Sequence, residues 1–291
     1  MVHAVREAVT SGGFLARAAR GPLLLDGAMA TCIHAMAATP GPVRGCDALS
    51  IAEPDRVRRL HAAYLDAGAD IVRTNTFRAA SDEHAHHASR LCSDAARLAR
   101  EAADEWSRRT PLRPRFVAGA IGPADHHASS EDARAAYRAP LRALIDGGVD
   151  LLLFETWSTA AQIAPVLAGY MDAAGETGRT VPVLLSLTGL SIDDAALAAI
   201  DLRVLAGLGL NCGTGPEGLS GRLAALRGHA RLVSCHPSAG LPDQSGRYPY
   251  APDAFADIVA GYAATGVADI VGGCCGTTPA HVAALVRAGR Q

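Results

Sequence analysis

The stretch Gly272-Gly273-Cys274-Cys275-Gly276-Thr277-Thr278-Pro279 closes the apolar run Ala268-Asp269-Ile270-Val271. Two adjacent thiols are poor disulfide partners for each other, yet both can face one metal ion. Glycines on either side permit the tight backbone this needs, and Thr278-Pro279 reads as a helix N-cap followed by proline at the first helical position. The unit is therefore strand, thiol-bearing turn, helix. Cys212 has a similar setting, since Leu208-Gly209-Leu210-Asn211-Cys212-Gly213 ends an apolar run and leads through Pro216 and Glu217 into a helical pattern. Any single cysteine is more simply a small buried hydrophobe. A glycine-flanked pair plus a third thiol, each at a strand end, favours a metal: Cys212, Cys274 and Cys275 make a soft, zinc-preferring set. Zinc under three thiolates is a weak Lewis acid toward water. It is better suited to taking an incoming thiol at its open fourth position, where the thiol deprotonates near neutral pH and attacks a soft carbon such as an activated methyl group.

Positioning such residues requires a repeated strand-and-helix frame. Eight short apolar segments are present, at Leu23–Leu25, Ile71–Arg73, Phe116–Ala120, Leu151–Phe154, Val183–Leu187, Val204–Leu210, Leu232–Ser234 and Ile270–Val271. Most precede a helix-compatible stretch. Val57, Leu60, Tyr64 and Leu65 recur at helical spacing in Asp55–Ala67, as do Phe255, Ile258, Val259 and Tyr262 in Pro252–Ala264. A weak repeat of glycine, small residue, aspartate and apolar strand recurs at Gly68–Ile71, Gly148–Leu151 and Gly266–Ile270, with glycine fitting a helix C-cap. Eight strands alternating with helices predict an α/β chain folded as a single (β/α)8 TIM barrel over residues 1–291. A doubly wound sheet would more often show five or six strands and an early phosphate loop, and no GxGxxG or Walker pattern occurs.

In such a barrel, chemistry belongs where strands end. The exits carry Asp26, then Thr74 and Asn75, Gly122, Glu155, Thr188, Asn211 and Cys212, His236 and Ser238, and finally the cysteine pair. Strand starts carry only Asp70, Asp150 and Asp269, which read as structural. The Pro/Gly-rich segments Thr39–Gly45 and Pro237–Pro252 read as loops covering the site.

Composition narrows the function classes. The 291 residues are 49% hydrophobic, enough for one large core, and the net charge of -2 argues against nucleic-acid or membrane-surface partners. Met1–Gly13 has no apolar export core, and no apolar run nears the roughly 20 residues of a membrane span. Seven cysteines then read as free thiols or metal ligands in a cytoplasmic protein. The partners expected are a small thiol acceptor and a methyl donor; a homo-oligomer is compatible with the sequence.

Taken together, GGCCGTTP at Gly272–Pro279, GLNCG at Gly209–Gly213, DGAMAT at Asp26–Thr31, TNTF at Thr74–Phe77 and Glu155-Thr156 resemble the homocysteine S-methyltransferase family, in order and across nearly the whole chain. The resemblance implies a barrel, zinc on Cys212, Cys274 and Cys275, and methylation of homocysteine sulfur to give methionine. It further implies that Asp26 and Glu155 hold the substrate ammonium while backbone at Gly27 and Ala28 receives its carboxylate. Two acidic groups at neighbouring exits independently fit an amino group better than a phosphate. Thr74 and Asn75 either line the pocket or satisfy loop backbone, and Asn211 either positions Cys212 or touches substrate.

The chain also departs from the family. Ser238 stands where cobalamin-dependent members have asparagine, and Arg78 and Thr156 replace tyrosines of the betaine-using members, so betaine is not the expected donor. Arg73 falls where relatives carry neutral or acidic residues; pointing inward, it would be placed to read a further carboxylate. A chain of this length resembles members that draw the methyl from a sulfonium, S-methylmethionine or S-adenosylmethionine. The alternatives are methylation of another small thiol or selenol, and a non-catalytic zinc barrel that binds a thiol. His84, His86 and His87, and His126-His127, read as solvated surface, His236 as a pocket candidate; Cys235 is expected near the site, and Cys32, Cys46 and Cys92 have no assignable partner.

Overall fold

The computed structural model describes residues 11–36, 45–124, 129–188 and 200–289. Eight parallel strands run β1 Leu23–Leu24, β2 Ile71–Arg73, β3 Phe116–Ile121, β4 Leu151–Trp157, β5 Val183–Leu187, β6 Gly207–Cys212, β7 Leu232–Pro237 and β8 Ile270–Val271. They are hydrogen-bonded in the order β1-β8-β7-β6-β5-β4-β3-β2. A parallel bridge from Leu25 to Ile71, with Asp26 N–H donating to Ile71 O at 2.9 Å, joins the two ends. This is the expected (β/α)8 barrel.

Period-two alternation divides the strand residues between two cores. Phe14, Leu23, Leu25, Ile71, Phe116, Leu151, Leu153, Leu184, Leu232 and Ile270 fill the barrel's lower interior, where Phe14 meets Phe116 edge-on at 5.6 Å. Val72, Val117, Leu152, Phe154, Leu185, Leu208, Val233 and Val271 face outward beneath the helices. The two helices expected from spacing are present at Pro54–Ala67 and Pro252–Ala264. Gly68, with φ 107°, ends the first in the left-handed conformation that glycine tolerates best.

The three strand-start aspartates lace neighbouring strands together. Asp70 accepts from Leu24 N–H, Asp150 from Val117 N–H and Asp269 from Val233 N–H, while Arg113, Arg100 and Arg227 respectively hold their carboxylates. Strand boundaries differ from expectation at several ends: β4 runs on to Trp157 and β7 to Pro237, and β6 starts late. Leu202–Val204 is a short 3-10 turn, with the Asp201 side chain accepting from Arg203 N–H, and β6 starts only at Gly207. An inward glycine is needed there, because a Cβ at Gly207 would fall 2.6 Å from Leu232 O. Residues 39–44 of the first expected loop, and His126-His127, lie outside the described residues. Among those described, no helix is long and apolar enough to cross a membrane.

Phe14→Ala should cost about 3–5 kcal/mol by opening the barrel floor, read as a lower denaturation midpoint. His61, fully buried with both ring nitrogens unpartnered, is pushed down by burial from 6.5 to about 4. Between those values the unfolded chain binds more protons, so stability present at neutral pH is lost as pH falls, by about 3 kcal/mol. His61→Leu should flatten that acid limb of the stability profile; an unchanged limb would assign it to other groups.

Candidate metal and thiol site

Cys212 ends β6, and Cys274-Cys275 follow β8; between these two strands lies β7. Cys212 Sγ is 3.2 Å from Cys274 Sγ and 3.7 Å from Cys275 Sγ, with 3.9 Å inside the adjacent pair. Three thiolates around one tetrahedral ion at a Zn–S distance of about 2.3 Å lie about 3.8 Å apart, so the donor set fits such an ion. Among the described residues this is the one group of three or more such side chains close enough to share a metal.

The exit of β7 stitches the two cysteine-bearing segments together. Cys274 N–H donates to Pro237 O at 2.8 Å, Ser238 N–H to Cys212 O at 3.1 Å and Ala239 N–H to Cys275 O at 2.9 Å. The Ser238 hydroxyl donates to Gly213 O at 2.6 Å. Thr277 donates to Cys274 O and accepts from Ala28 N–H, which ties the cysteine turn to the exit of β1. A side chain at Gly273 has no room, since a Cβ would lie 2.3 Å from Thr277 Oγ1. Packed this closely, the thiols share protons. Hydrogen bonds from Cys212 and then Cys274 pull Cys275 down to about 3, whereas hydrogen bonds to Cys274 and Cys275 push Cys212 far up. A bound cation would favour the thiolate form of all three.

Beside the sulfurs, Asp26 and Glu155 enclose a guanidinium. Arg73 points into the barrel: its Nε donates to Asp26 Oδ1 at 2.7 Å, Nη1 to Glu155 Oε2 at 2.9 Å, and Nη2 to Gly27 O and to Gly273 O. Its backbone N–H donates to the other Asp26 oxygen at 2.8 Å. Asp26 is 0% exposed, and Arg73 and Glu155 are each 5% exposed. Burial lifts Asp26 to about 6 against the pull of Arg73, while the fields of both carboxylates overcome burial and hold Arg73 well above its ordinary value. His236 Nε2 lies 3.4 Å from Glu155 Oε2.

The remaining candidates make their hydrogen bonds within the protein. Thr74 Oγ1 meets Thr76 Oγ1 and accepts from Ala120 N–H, and Asn75 Nδ2 donates to Cys46 O. Asn211 Oδ1 accepts from Thr156 N–H and the Ser186 hydroxyl, and its Nδ2 donates to Thr156 Oγ1. Thr156 and Cys212 are the two non-glycine residues with positive φ among those described, 71° and 58°. Asn211 thus braces two strained exits at once.

Other expectations are revised. His84 is buried, edge-on with His87 and 3.8 Å from Asp47. Cys32 has partners after all in Tyr64 OH and Thr277 O. Cys235 alternates outward into the helix-facing core, away from its neighbour His236. Tyr248, from the loop after β7, packs over the cysteine turn: a Cβ at Gly276 would sit 2.1 Å from its ring. Only its place in a covering loop signalled that contact.

The structure is an eight-stranded parallel barrel with three thiols converging at its C-terminal mouth, a donor set that suits a metal ion. The chain belongs to the homocysteine S-methyltransferase family, which it matches over residues 23–288. It is 36% identical over 284 residues to methionine synthase of Mycobacterium tuberculosis and 35% identical to that of Mycobacterium leprae. Those alignments cover 88% of this chain but 24% and 23% of those proteins, so it spans about a quarter of their length. Among solved structures, the metallated form of the homocysteine methyltransferase MmuM from Escherichia coli is 25% identical, with a TM-score of 0.70, covering 93% of this chain and 96% of that one.

Cys274→Ala should lower bound metal, measured by elemental analysis, to a small fraction of the wild-type content while circular dichroism stays that of the barrel. Retained stoichiometric metal would remove Cys274 from the site.

Proposed function

We propose that the chain is a zinc-dependent methyltransferase that moves a methyl group from a sulfonium donor to the sulfur of a small thiol, with homocysteine as the reference acceptor. The observation that carries this reading is the convergence of Cys212, Cys274 and Cys275 at one mouth of the barrel. Family membership and the likeness to MmuM support it. Zinc, when bound, supplies the acidity that lets an acceptor thiol lose its proton near neutral pH.

The chain's own residues do the rest. Cys212, Cys274 and Cys275 would hold the ion, and Asn211, Ser238 and Thr277 fix the backbone that aims them. Asp26, Gly27, Ala28 and Glu155 form the wall nearest the acceptor's polar end, with Thr74 and Asn75 bracing the adjoining exits. Tyr248 narrows the mouth above the cysteine turn. In the transfer, the acceptor sulfur forms its bond to the methyl carbon as the donor's carbon–sulfur bond breaks. The electron pair leaves on the donor sulfur as a neutral thioether, and the acceptor's proton passes to solvent. Aligning two sulfurs across one carbon supplies most of the rate, because a sulfonium is already a good leaving group.

Zinc-loaded protein given homocysteine with S-methylmethionine or S-adenosylmethionine should form methionine, and should form none with betaine. Chelation of the metal should abolish the reaction. Stoichiometric zinc with no turnover on any sulfonium donor would instead mark a non-catalytic thiol-binding barrel.

A further inference from the structure

The two carboxylates expected to hold a substrate ammonium already hold a cation belonging to the protein. Both Asp26 oxygens are engaged by Arg73, one by Nε and one by the backbone N–H, and Asp26 has no exposed surface. Glu155 Oε2 receives Arg73 Nη1 at 2.9 Å and stands 3.4 Å from His236 Nε2. Four of the five N–H donors of the guanidinium are spent on protein acceptors, so Arg73 has little capacity left to read a substrate carboxylate. Of the charges on these three side chains, one negative charge remains rather than two. An ammonium arriving here would meet a cation between the groups that should attract it, and like charges in a poorly solvated site repel strongly.

Building on the methyltransferase reading above, we infer that Arg73 is a specificity-determining residue: it fills the cation position of the acidic pair, so the acceptor is selected without an ammonium clamp. The acceptor class is then small thiols whether or not they carry an α-amino group, mercaptocarboxylates included. Arg73 also reaches Gly273 O beside the metal-binding turn, so its fixed charge is part of the same wall that meets the acceptor.

The test compares L-homocysteine with 4-mercaptobutanoate, which has the same carbon chain and carboxylate but no amine. Binding to zinc-loaded wild-type protein is measured by titration calorimetry, alongside methylation with a sulfonium donor. The two dissociation constants should agree within about threefold, whereas a charge-assisted clamp on the amine would separate them by more than about tenfold. A homocysteine preference above about threefold, with turnover intact, overturns this inference and leaves the methyltransferase reading standing. Absence of binding by either thiol overturns both. Arg73→Gln, accepted only if zinc content and circular dichroism match wild type, should raise the preference for homocysteine at least about tenfold; an unchanged ratio counts against the assignment. Should that variant fail to fold, the wild-type ratio decides alone.

Discussion

Thiolates repel, so three sulfur atoms held 3.2–3.9 Å apart must be braced by something other than the sulfurs. Here the brace is the exit of β7. Cys212 and the Cys274-Cys275 pair leave strands that are not neighbours, and Pro237, Ser238 and Ala239 bridge the gap with one backbone hydrogen bond each. The strand order of the barrel therefore has a chemical consequence, because only an intervening strand can bond to both sides at once. Local strain follows from the same demand. Cys212 takes a left-handed backbone that a non-glycine residue rarely adopts, and Asn211 compensates by fastening the equally unusual Thr156 across the mouth.

A second constraint is charge. The lower barrel is apolar, so carboxylates at its upper rim cannot rely on water, and an unpaired one would be costly. Arg73 resolves this from β2, pairing with both carboxylates. Its Nη2 bond to Gly273 O, and the bond from Gly273 N–H to Asp26 O at 3.1 Å, join the ion cluster to the turn that carries the cysteines. Removing one partner of such a buried cluster typically costs about 3–5 kcal/mol, because it leaves the others uncompensated. The same disturbance would reach the sulfurs through Gly273.

Much of this was legible in the sequence. Eight apolar segments, the glycine-flanked thiols and the repeated Gly–Asp pattern before strands are local signals, and the barrel makes direct use of each. The Asp70, Asp150 and Asp269 positions read as structural because they precede strands, and their bonds to neighbouring strands show why. What the sequence hides is parity and partnership. Whether Arg73 faces the barrel interior or the helices turns on a one-residue register, and nothing in a three-residue strand marks it. His84 sits in a polar, alanine-rich stretch that reads as solvated, but its burial beside Asp47 of an earlier segment is a tertiary event. Likewise Thr74, Asn75 and Ser238 are polar residues at strand exits, and only coordinates reveal that their hydrogen bonds serve backbone and loops.

The charge balance also bears on the proposed transfer itself. A thiolate and a sulfonium react to give two neutral thioethers, so charge is destroyed along the reaction path. Surroundings that solvate ions strongly stabilise the reactants more than the transition state and slow such a step. Two uncompensated carboxylates at this mouth would hold a sulfonium cation in its ground state, and the gain in binding would be repaid as a higher barrier. With Arg73 set between Asp26 and Glu155, both carboxylates are already paired and their hold on an incoming cation is weakened. The apolar residues Leu25, Ala118 and Leu153 beneath it keep the local polarity low. A guanidinium enclosed by carboxylates is thus consistent with chemistry in which the charges are consumed, and less so with chemistry that must hold a cation in place.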